Sequence, residues 1–147
     1  MKSPDMSQLN IIMVEDDDDH AELSMRAMRK SGVPHTVKRF RDGHEAIEFL
    51  STDEKFENGK PANLVLLDLK LPKIDGFGVL ESIRSHEKFK TTPVIVLSTS
   101  SVEKDIDRAY KLGANSYLRK PVQLEDFLKM VKDLSTYWGE WNHQPTV

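Results

Sequence analysis

The stretch that decides the fold runs from Leu64 to Gly76 and reads LVLLDLKLPKIDG. Its first four residues are apolar, and so short a run between polar residues predicts a strand buried on both faces. An unpaired carboxylate is costly to bury, so Asp68 is tolerated best where this strand leaves the sheet. Ligands of open parallel sheets bind at the carboxyl ends of the strands. Asp68 is therefore a candidate for chemistry, and an aspartate that only caps a loop is the alternative.

The composition favours one globular domain. The chain has 147 residues, enough to bury a core, and it has no cysteine for a disulfide or a thiolate metal site. Its formal net charge is −3, and basic residues such as Arg39 are interleaved with apolar or acidic ones, which fits solvated faces rather than a nucleic-acid interface. No apolar run approaches the roughly 18 residues of a membrane span, and no signal peptide is evident. We expect a cytoplasmic protein with neither a membrane nor a nucleic-acid partner.

Strand and helix patterns alternate along the chain. Short, mostly apolar runs predict five strands, at residues 9–14, 35–40, 64–67, 93–97 and 115–118. A helix with apolar residues at helical spacing is predicted after each strand, and residues 124–138 show the clearest period. Short apolar strands that alternate with helices favour an α/β fold, a doubly wound parallel sheet with helices on both faces.

These patterns predict a single domain over residues 9–138. Residues 1–8 are expected to form a flexible N-terminus, and residues 139–147 a C-terminal tail. Residues 51–62 are expected to form a polar surface loop. No internal repeat or low-complexity tract interrupts the domain.

Five carboxylates in succession, Glu15 to Asp19, follow the first predicted strand. Asp17 to Asp19 have an ordinary explanation, because aspartate is favoured at the N-cap and in the first turn of a helix. Glu15 and Asp16 still lie at the end of the strand, where that explanation does not apply.

Polar residues also follow other strands: Asp68 the third, Ser98 the fourth and Lys120 the fifth. The carboxyl ends of parallel strands share one edge of the sheet, so these residues and the pair Glu15 and Asp16 can be neighbours. Adjacent carboxylates repel, and one stays protonated unless a cation joins them. Oxygen ligands without cysteine or clustered histidine favour Mg²⁺. The five histidines show no ligand spacing, and we interpret each as a surface or helix residue.

A Mg²⁺ beside an aspartate suggests that Asp68 is a nucleophile that forms an aspartyl phosphate. Lys120 offers a compact positive charge, worth roughly 4 kcal/mol at 4 Å with an effective dielectric constant near 20. Ser98 can donate a hydrogen bond to a phosphoryl oxygen. Each has a simpler explanation alone, Lys120 as a surface lysine and Ser98 as a helix cap. Their joint occurrence at the strand ends favours phosphoryl chemistry.

Four motifs, in order and spacing, resemble the receiver domain of two-component response regulators over roughly residues 9–136. They are Val14-Glu15-Asp16, Leu67-Asp68-Leu69-Lys70-Leu71-Pro72-Lys73-Ile74-Asp75-Gly76, Pro93-Val94-Ile95-Val96-Leu97-Ser98 and Tyr117-Leu118-Arg119-Lys120-Pro121. The resemblance implies a flavodoxin-like (CheY-like) fold with five strands in the order 2-1-3-4-5 and five helices. It also implies that a sensor histidine kinase phosphorylates Asp68.

The resemblance further implies that Mg²⁺ is bound by Asp16, Asp68 and the backbone carbonyl of Lys70. The acidic pair is Glu-Asp rather than the commoner Asp-Asp, so we expect Glu15 to reach the metal through water. Thr99 stands where many receivers have alanine or glycine, which would narrow access to Asp68. Lys70 itself places an unusual cation near the mouth of the site.

For the phosphorylated state, the resemblance implies that Ser98 and Lys120 contact the phosphoryl group. Tyr117 would be the switch aromatic that responds to it together with Ser98. The peptide bond between Lys120 and Pro121 is expected to be cis, since X–Pro bonds tolerate that isomer best.

No output domain is evident after the receiver motifs, so we expect a single-domain regulator that switches a protein-interaction surface. The long loop and the aromatic C-terminus resemble the regulators encoded with phytochrome kinases, which suggests a phytochrome-type partner. We expect the face of helix four, strand five and helix five to mediate a homodimer or kinase docking. Its expected aromatic residues are Tyr117, Tyr137, Trp138 and Trp141. The alternative is that Trp138 packs inward and the tail is frayed.

Two other functions are weaker. A phosphohydrolase of the haloacid dehalogenase type needs a second aspartate two residues after its nucleophile, and here that residue is Lys70. A degenerate receiver that acts only as a scaffold would have lost its motif residues, whereas Asp16, Asp68, Ser98 and Lys120 are intact. We therefore predict a phosphoacceptor signalling protein and not an enzyme, with only limited phosphotransfer and autodephosphorylation of its own.

Overall fold

The computed structural model describes residues 8–52 and 55–144. In that part of the chain five strands alternate with five α-helices, as predicted. The elements are β1 (Leu9–Val14), α1 (Asp18–Ser31), β2 (His35–Phe40), α2 (Gly43–Ser51), β3 (Leu64–Leu67), α3 (Gly76–Ser85), β4 (Val94–Ser98), α4 (Glu103–Lys111), β5 (Ser116–Arg119) and α5 (Leu124–Thr136), followed by a π-helical turn (Tyr137–Trp141). Apart from Gln8, the predicted flexible N-terminus lies outside the described residues.

The strands form one parallel sheet in the order β2-β1-β3-β4-β5, which confirms the predicted topology. Their register aligns the carboxyl ends. Val14 of β1 pairs with Leu67 of β3, Leu67 pairs with Val96 of β4, and Ser98 pairs with Arg119 of β5. The residues that follow β1, β3 and β5 therefore emerge at one edge of the sheet, beside the end of β4.

Both faces of the sheet are buried, because successive residues of each strand contribute to opposite layers. Along β1, Ile12 and Val14 join the layer that includes residues of α2, α3 and α4, whereas Ile11 and Met13 join the layer that includes residues of α1 and α5. Each fully buried aliphatic side chain contributes about 1.5–3 kcal/mol. Packing from both sides thus fixes the position of the central strands, whose carboxyl ends carry the polar residues.

The chain departs from the predicted boundaries at its C-terminal end. Helical structure continues to Trp141 instead of ending at Trp138. Gly139 makes this possible, because a Cβ there would overlap the side chain of Val33. The missing side chain lets the π-helical turn pack closely against the protein, so at least Gly139, Glu140 and Trp141 of the predicted tail are ordered helix.

The loop predicted as polar surface is anchored to the core. Phe56 is buried, and its ring makes an edge-on contact with Phe49 of α2 at a centroid distance of 6.3 Å. Asn58 exchanges side-chain hydrogen bonds of 3.0 and 3.1 Å with the buried Asn10 of β1. Within the described residues, no helix combines the length and apolar character that a membrane crossing requires.

Candidate functional site

The end of β1 carries the acidic residues. Glu15 is buried, whereas Asp16 is exposed. Asp17 is the N-cap of α1, and its side chain accepts hydrogen bonds from the backbone N–H groups of Asp19 and His20. These backbone hydrogen bonds hold the pKa of Asp17 below its usual value. The interpretation of Asp17 as a helix cap is thus confirmed, and Glu15 and Asp16 are left for another role.

The turn after β3 holds Asp68 in place. The backbone N–H of Lys70 donates to Asp68 Oδ1 at 3.3 Å, and that of Gly76 donates to the carbonyl of Leu69 at 2.8 Å. A Cβ on Gly76 would overlap the backbone carbonyl of Asp68, so the start of α3 packs directly on the acceptor's own backbone. Lys73 adopts a left-handed φ of 65° in this loop. The position of Asp68 therefore depends on a glycine and a tightly folded turn.

Lys120 lies at the centre of the site and is almost fully buried. Its Nζ donates to Glu15 Oε1 at 2.5 Å and to Asp68 Oδ2 at 3.3 Å. It also lies 3.0 Å from Nδ1 of His20. A buried charge is stable only when it is paired and hydrogen-bonded, and here two carboxylates provide the pairing. The predicted convergence of Glu15, Asp68 and Lys120 is therefore observed.

The carboxylates of Glu15, Asp16 and Asp68 form a cluster in which ligand oxygens lie within 4.8 Å of one another. The pKa of Glu15 is raised to about 7, chiefly by burial and also by the hydrogen bond and negative charge of Asp68, against the opposing effect of Lys120. A cluster in which one carboxyl group resists ionisation lacks enough nearby positive charge to offset three negative charges. Its donor set of carboxylate oxygens fits a hard divalent cation.

Ser98 and Tyr117 are both hydrogen-bonded to Ser100, in the loop between β4 and α4. Ser98 is fully buried, and its Oγ accepts the backbone N–H of Ser100 at 3.1 Å. Its carbonyl accepts the backbone N–H of Lys120 at 2.7 Å. The hydroxyl of Tyr117 donates to the carbonyl of Ser100 at 2.9 Å. Ser98 and Tyr117 are thus linked by hydrogen bonds through Ser100.

The peptide bond between Lys120 and Pro121 is trans, so the expected cis bond is wrong: the described residues contain no cis peptide. The trans isomer is intrinsically favoured by about 0.5–1 kcal/mol for an X–Pro bond. The trans bond is compatible with the buried position of Lys120, which its side-chain contacts and its backbone bond to Ser98 maintain. Thr99 is exposed beside Ser98.

The model of the response regulator receiver domain family matches residues 11–132 of the chain. The chain belongs to this family. The matched segment begins within β1, spans the other four strands and includes each acidic, hydroxyl and lysine residue of the site described above. The receiver domain is thus a signalling domain of two-component systems, as its motifs predicted.

Sequence relatives of the receiver domain are similar along nearly their whole length. FilR2 of Methanothrix harundinacea, a probable methanogenesis regulatory protein, is 42% identical over 135 residues, 92% of this chain and 86% of that protein. The response regulator Rcp1 of Synechocystis sp. is 39% identical over 130 residues, 88% of each protein.

Solved structures show the same fold. The Mn²⁺-bound form of Rcp1 is 38% identical in sequence, with a TM-score of 0.85. The alignment covers 94% of this chain and 99% of the Rcp1 chain. RcpA, a cyanobacterial phytochrome response regulator solved in its phosphorylated form, is also 38% identical and has a TM-score of 0.87. The alignment covers 95% of this chain and 100% of the RcpA chain. The likeness to a metal-bound and a phosphorylated regulator agrees with the carboxylate cluster around Asp68.

Some predicted residues of the receiver domain are less closely involved. Lys70 is exposed, and its contact with Asp68 is made by its backbone N–H. Trp138 is only partly exposed and packs against the apolar layer beside α5. Its predicted place on the exposed aromatic face is therefore wrong. Of the alternative, the inward packing of Trp138 is confirmed, whereas the frayed tail is not, because helical structure continues to Trp141. Tyr137 and Trp141 are exposed.

Two residues of the receiver site escaped the sequence analysis. His20 was interpreted as an ordinary helix residue, yet it contacts Lys120. Arg39 was assigned to a solvated face, yet its guanidinium donates two hydrogen bonds, of 3.0 and 2.9 Å, to the carbonyl of Glu15, and a third, of 2.8 Å, to Asp18. A usable signal existed for Arg39, because it lies near the end of β2, beside the acidic end of β1.

Proposed function

We propose that this receiver domain acts as a stand-alone response regulator that accepts a phosphoryl group on Asp68 from the phosphohistidine of a sensor histidine kinase. The observation that carries the proposal is the placement of Asp68. It follows the central strand β3, its Oδ2 lies 3.3 Å from the ammonium of Lys120, and it belongs to a carboxylate cluster suited to a divalent cation. Near-complete coverage of Rcp1 and RcpA supports the proposal.

In the proposed reaction a carboxylate oxygen of Asp68 forms a bond to phosphorus while the phosphorus–nitrogen bond of the phosphohistidine breaks. The imidazole leaves with that electron pair and takes up a proton from the solvent. Lys120 brings positive charge to the side of Asp68 on which negative phosphoryl oxygens must gather. The buried surroundings of Lys120 make this charge more effective than it would be in water.

We propose Mg²⁺ as the cation, held by Asp16, Asp68 and the backbone carbonyl of Lys70, with Glu15 reaching it through water. Bound there, Mg²⁺ would neutralise charge on the phosphoryl oxygens. The pairing of Glu15 with Lys120 supports an indirect role for Glu15, because its Oε1 is already engaged at 2.5 Å. Exposed Asp16 is free of any such pairing with Lys120 and can offer its carboxylate directly.

The proposed switch begins at Ser98. Its hydroxyl would donate to a phosphoryl oxygen on Asp68, and its bond with the N–H of Ser100 would then change. Because the carbonyl of Ser100 accepts the hydroxyl of Tyr117, the change would reach an aromatic side chain next to α4. A local electrostatic event of this kind can bias a two-state surface that another protein reads.

The kinase partner is proposed to be of the phytochrome type. RcpA, whose fold and sequence are similar over the whole receiver, is described as a phytochrome response regulator. Because the phosphohistidine of such a kinase is formed from ATP, we propose that the receiver works in the cytoplasm. Its own catalysis would be limited to taking the phosphoryl group from the donor and losing it by slow hydrolysis.

We further propose that the face of α4, β5 and α5 mediates homodimer formation, with kinase docking as the second use of the same face. Tyr110 of α4 and Tyr137 after α5 are about half exposed, and Trp141 is 71% exposed. A shallow cavity of about 640 Å³ lies between β5 and α5 and is lined in part by Leu118, Met130 and Tyr137. Exposed aromatic residues are enriched in the cores of interfaces.

The phosphoacceptor proposal is tested by incubation with acetyl phosphate, or with the partner kinase and ATP, in the presence of Mg²⁺. Asp68→Asn keeps the shape of the side chain and removes the nucleophile, so it should abolish incorporation. Glu81→Gln makes the corresponding acid-to-amide change on the exposed surface of α3, outside the face of α4, β5 and α5, and should leave incorporation unchanged. Label that persisted undiminished on the Asp68→Asn variant would overturn the assignment.

A further inference from the structure

We propose that His20 is a positioning residue for Lys120, and the inference rests on the function proposed for Asp68. An ammonium has three N–H donors and no acceptor. Lys120 is only 5% exposed, so all three donors need protein partners. Glu15 Oε1 at 2.5 Å and Asp68 Oδ2 at 3.3 Å take two of them, and His20 Nδ1 at 3.0 Å takes the third.

The direction of this hydrogen bond follows from chemistry. Because the ammonium can only donate, Nδ1 of His20 must present its lone pair, and the ring proton is on Nε2. Among the three acceptors, Nδ1 of His20 is the one that is not a carboxylate oxygen. It can fix the direction of the ammonium without cancelling its charge, which the carboxylates of Glu15 and Asp68 partly do.

The sequence and the fold both hold the ring of His20 in place. His20 lies in the first turn of α1, where its backbone N–H donates to the N-cap Asp17 at 3.1 Å. Its ring packs on Phe127 of α5 with centroids 6.0 Å apart. Two helices thus set the imidazole over Lys120, and the side chain of His20 is still 35% exposed on its outer side.

The role in the reaction follows from this geometry. An incoming phosphoryl group at Asp68 needs the positive charge of Lys120 on that side. Without an acceptor at position 20, one buried N–H would lack a partner, and Lys120 would turn toward water and away from Asp68. His20 therefore keeps the ammonium aimed at the acceptor before the donor arrives.

Three variants separate positioning from simple support. His20→Leu keeps apolar bulk against Phe127 and removes the acceptor. His20→Asn restores an acceptor atom at the same distance along the side chain as Nδ1. His44→Leu is the control, since His44 is exposed on α2, where its Nδ1 lies 3.8 Å from Glu48 Oε2. Thermal unfolding followed by circular dichroism checks that each variant is folded.

Two measurements are made on each variant. The ¹⁵N signal of the Lys120 ammonium, recorded without any phosphoryl donor, reports on the contact itself. The rate of Asp68 labelling is then measured over a range of acetyl phosphate concentrations with saturating Mg²⁺. We expect His20→Leu to shift the Lys120 signal and lower the maximal rate about tenfold, with little change in the half-saturating donor concentration. His20→Asn should recover the rate to within about threefold of wild type.

An unchanged Lys120 signal and an unchanged rate in His20→Leu would overturn the inference while leaving the proposed function intact. Equal losses in His20→Leu and His20→Asn would also overturn it, because the acceptor atom would then be irrelevant. If the wild type itself were not labelled on Asp68, the proposed function would fail first, and the rate claim for His20 would fall with it.

Discussion

At the scale of single residues, the buried carboxyl of Glu15 makes the stability of the metal-free site depend on pH. Its pKa is raised from 4.5 to about 7, first by burial and then by Asp68, with Lys120 opposing. The folded state therefore holds this proton more tightly than the unfolded chain does. The stabilisation is fully present below the unfolded value and is lost as the pH rises through the folded value.

We expect the free energy of unfolding, measured by urea denaturation with a chelator present, to fall relative to that of Glu15→Gln as the pH rises from about 5 to about 8. Glu15→Gln removes the titrating group and should flatten this dependence. Glu81→Gln, an exposed substitution on α3, should follow the wild-type curve. Parallel curves for wild type and Glu15→Gln would contradict the explanation.

Repulsion within the carboxylate cluster leads to a second prediction at this scale. Asp16→Asn removes the charge of one of three carboxyl groups whose oxygens lie within 4.8 Å of one another. Without metal the variant should be more stable than wild type by about 1 kcal/mol, or about 3 °C in Tm. It should also bind Mg²⁺ more weakly, as isothermal titration calorimetry would show. Asp107→Asn is the control for loss of a surface charge, and a lower Tm for Asp16→Asn would refute the repulsion argument.

Residue identities predicted much of the site, because strand-end positions can be read from hydrophobic patterns. The convergence of Lys120, Asp68 and the acidic pair after β1 was predicted in this way. His20 was not, since its approach to Lys120 depends on how α1 packs against α5. Contacts between a helix and a distant strand end leave no periodic trace in the sequence.

At the scale of elements, the close approach of α3 to the end of β3 is decisive. A Cβ at position 76 would overlap the carbonyl of Asp68 and come within 2.6 Å of Leu69 Cα. We expect Gly76→Ala to lower the free energy of unfolding by about 1–3 kcal/mol, since backbone atoms cannot easily move aside. Chemical denaturation measures the loss.

The same helix offers a matched control. A Cβ on Gly78 would come within 2.6 Å of the Cγ2 methyl of Ile74, a side-chain atom rather than backbone, and 3.8 Å from Asp75 Oδ1. Gly78→Ala should therefore cost less stability than Gly76→Ala, because a side chain shifts more easily than backbone and alanine has the higher helix propensity. If the two variants were equally stable, the contact between Gly76 and Asp68 would not constrain the site.

Element boundaries were predicted well where capping residues mark them and less well elsewhere. Asp17 caps the start of α1 with its carboxylate, and Gly32 caps its end with a left-handed φ of 75° that glycine adopts easily. The start of β5 was placed one residue early, at Asn115, although asparagine is depleted in strands. Its side chain instead accepts hydrogen bonds from the backbone N–H of Val94 and from Arg84. The π-helical turn was missed, since only the packing of Gly139 reveals it.

At the scale of the whole molecule, the exposed aromatic residues beyond α5 predict self-association. Tyr137 is 54% exposed and Trp141 is 71% exposed, whereas Trp138 packs inward. We expect a dimer at tens of micromolar in sedimentation velocity, and Tyr137→Ala/Trp141→Ala should shift it to the monomer. Glu140→Ala, in the same turn, should leave the dimer intact. A wild type that sediments as a monomer, phosphorylated or not, would remove the basis for self-association.

The overall topology was predictable because alternating short strands and helices admit few arrangements of a parallel sheet. The strand order came from the resemblance of four motifs and not from periodicity. Such patterns do not predict the isomer of the peptide bond before Pro121, nor whether a partner binds the exposed aromatic residues. The first depends on small energy differences between isomers, and the second on a surface outside the chain.

The central claim is that Asp68 is the phosphoacceptor, and residue-level mapping tests it most directly. The receiver is phosphorylated with its kinase or acetyl phosphate and Mg²⁺, reduced with borohydride to convert the acyl phosphate to a stable alcohol, and digested for tandem mass spectrometry. We predict that the reduced residue is Asp68 alone, with Glu15 and Asp16 unmodified. Modification at another carboxylate, with Asp68 intact, would contradict the account.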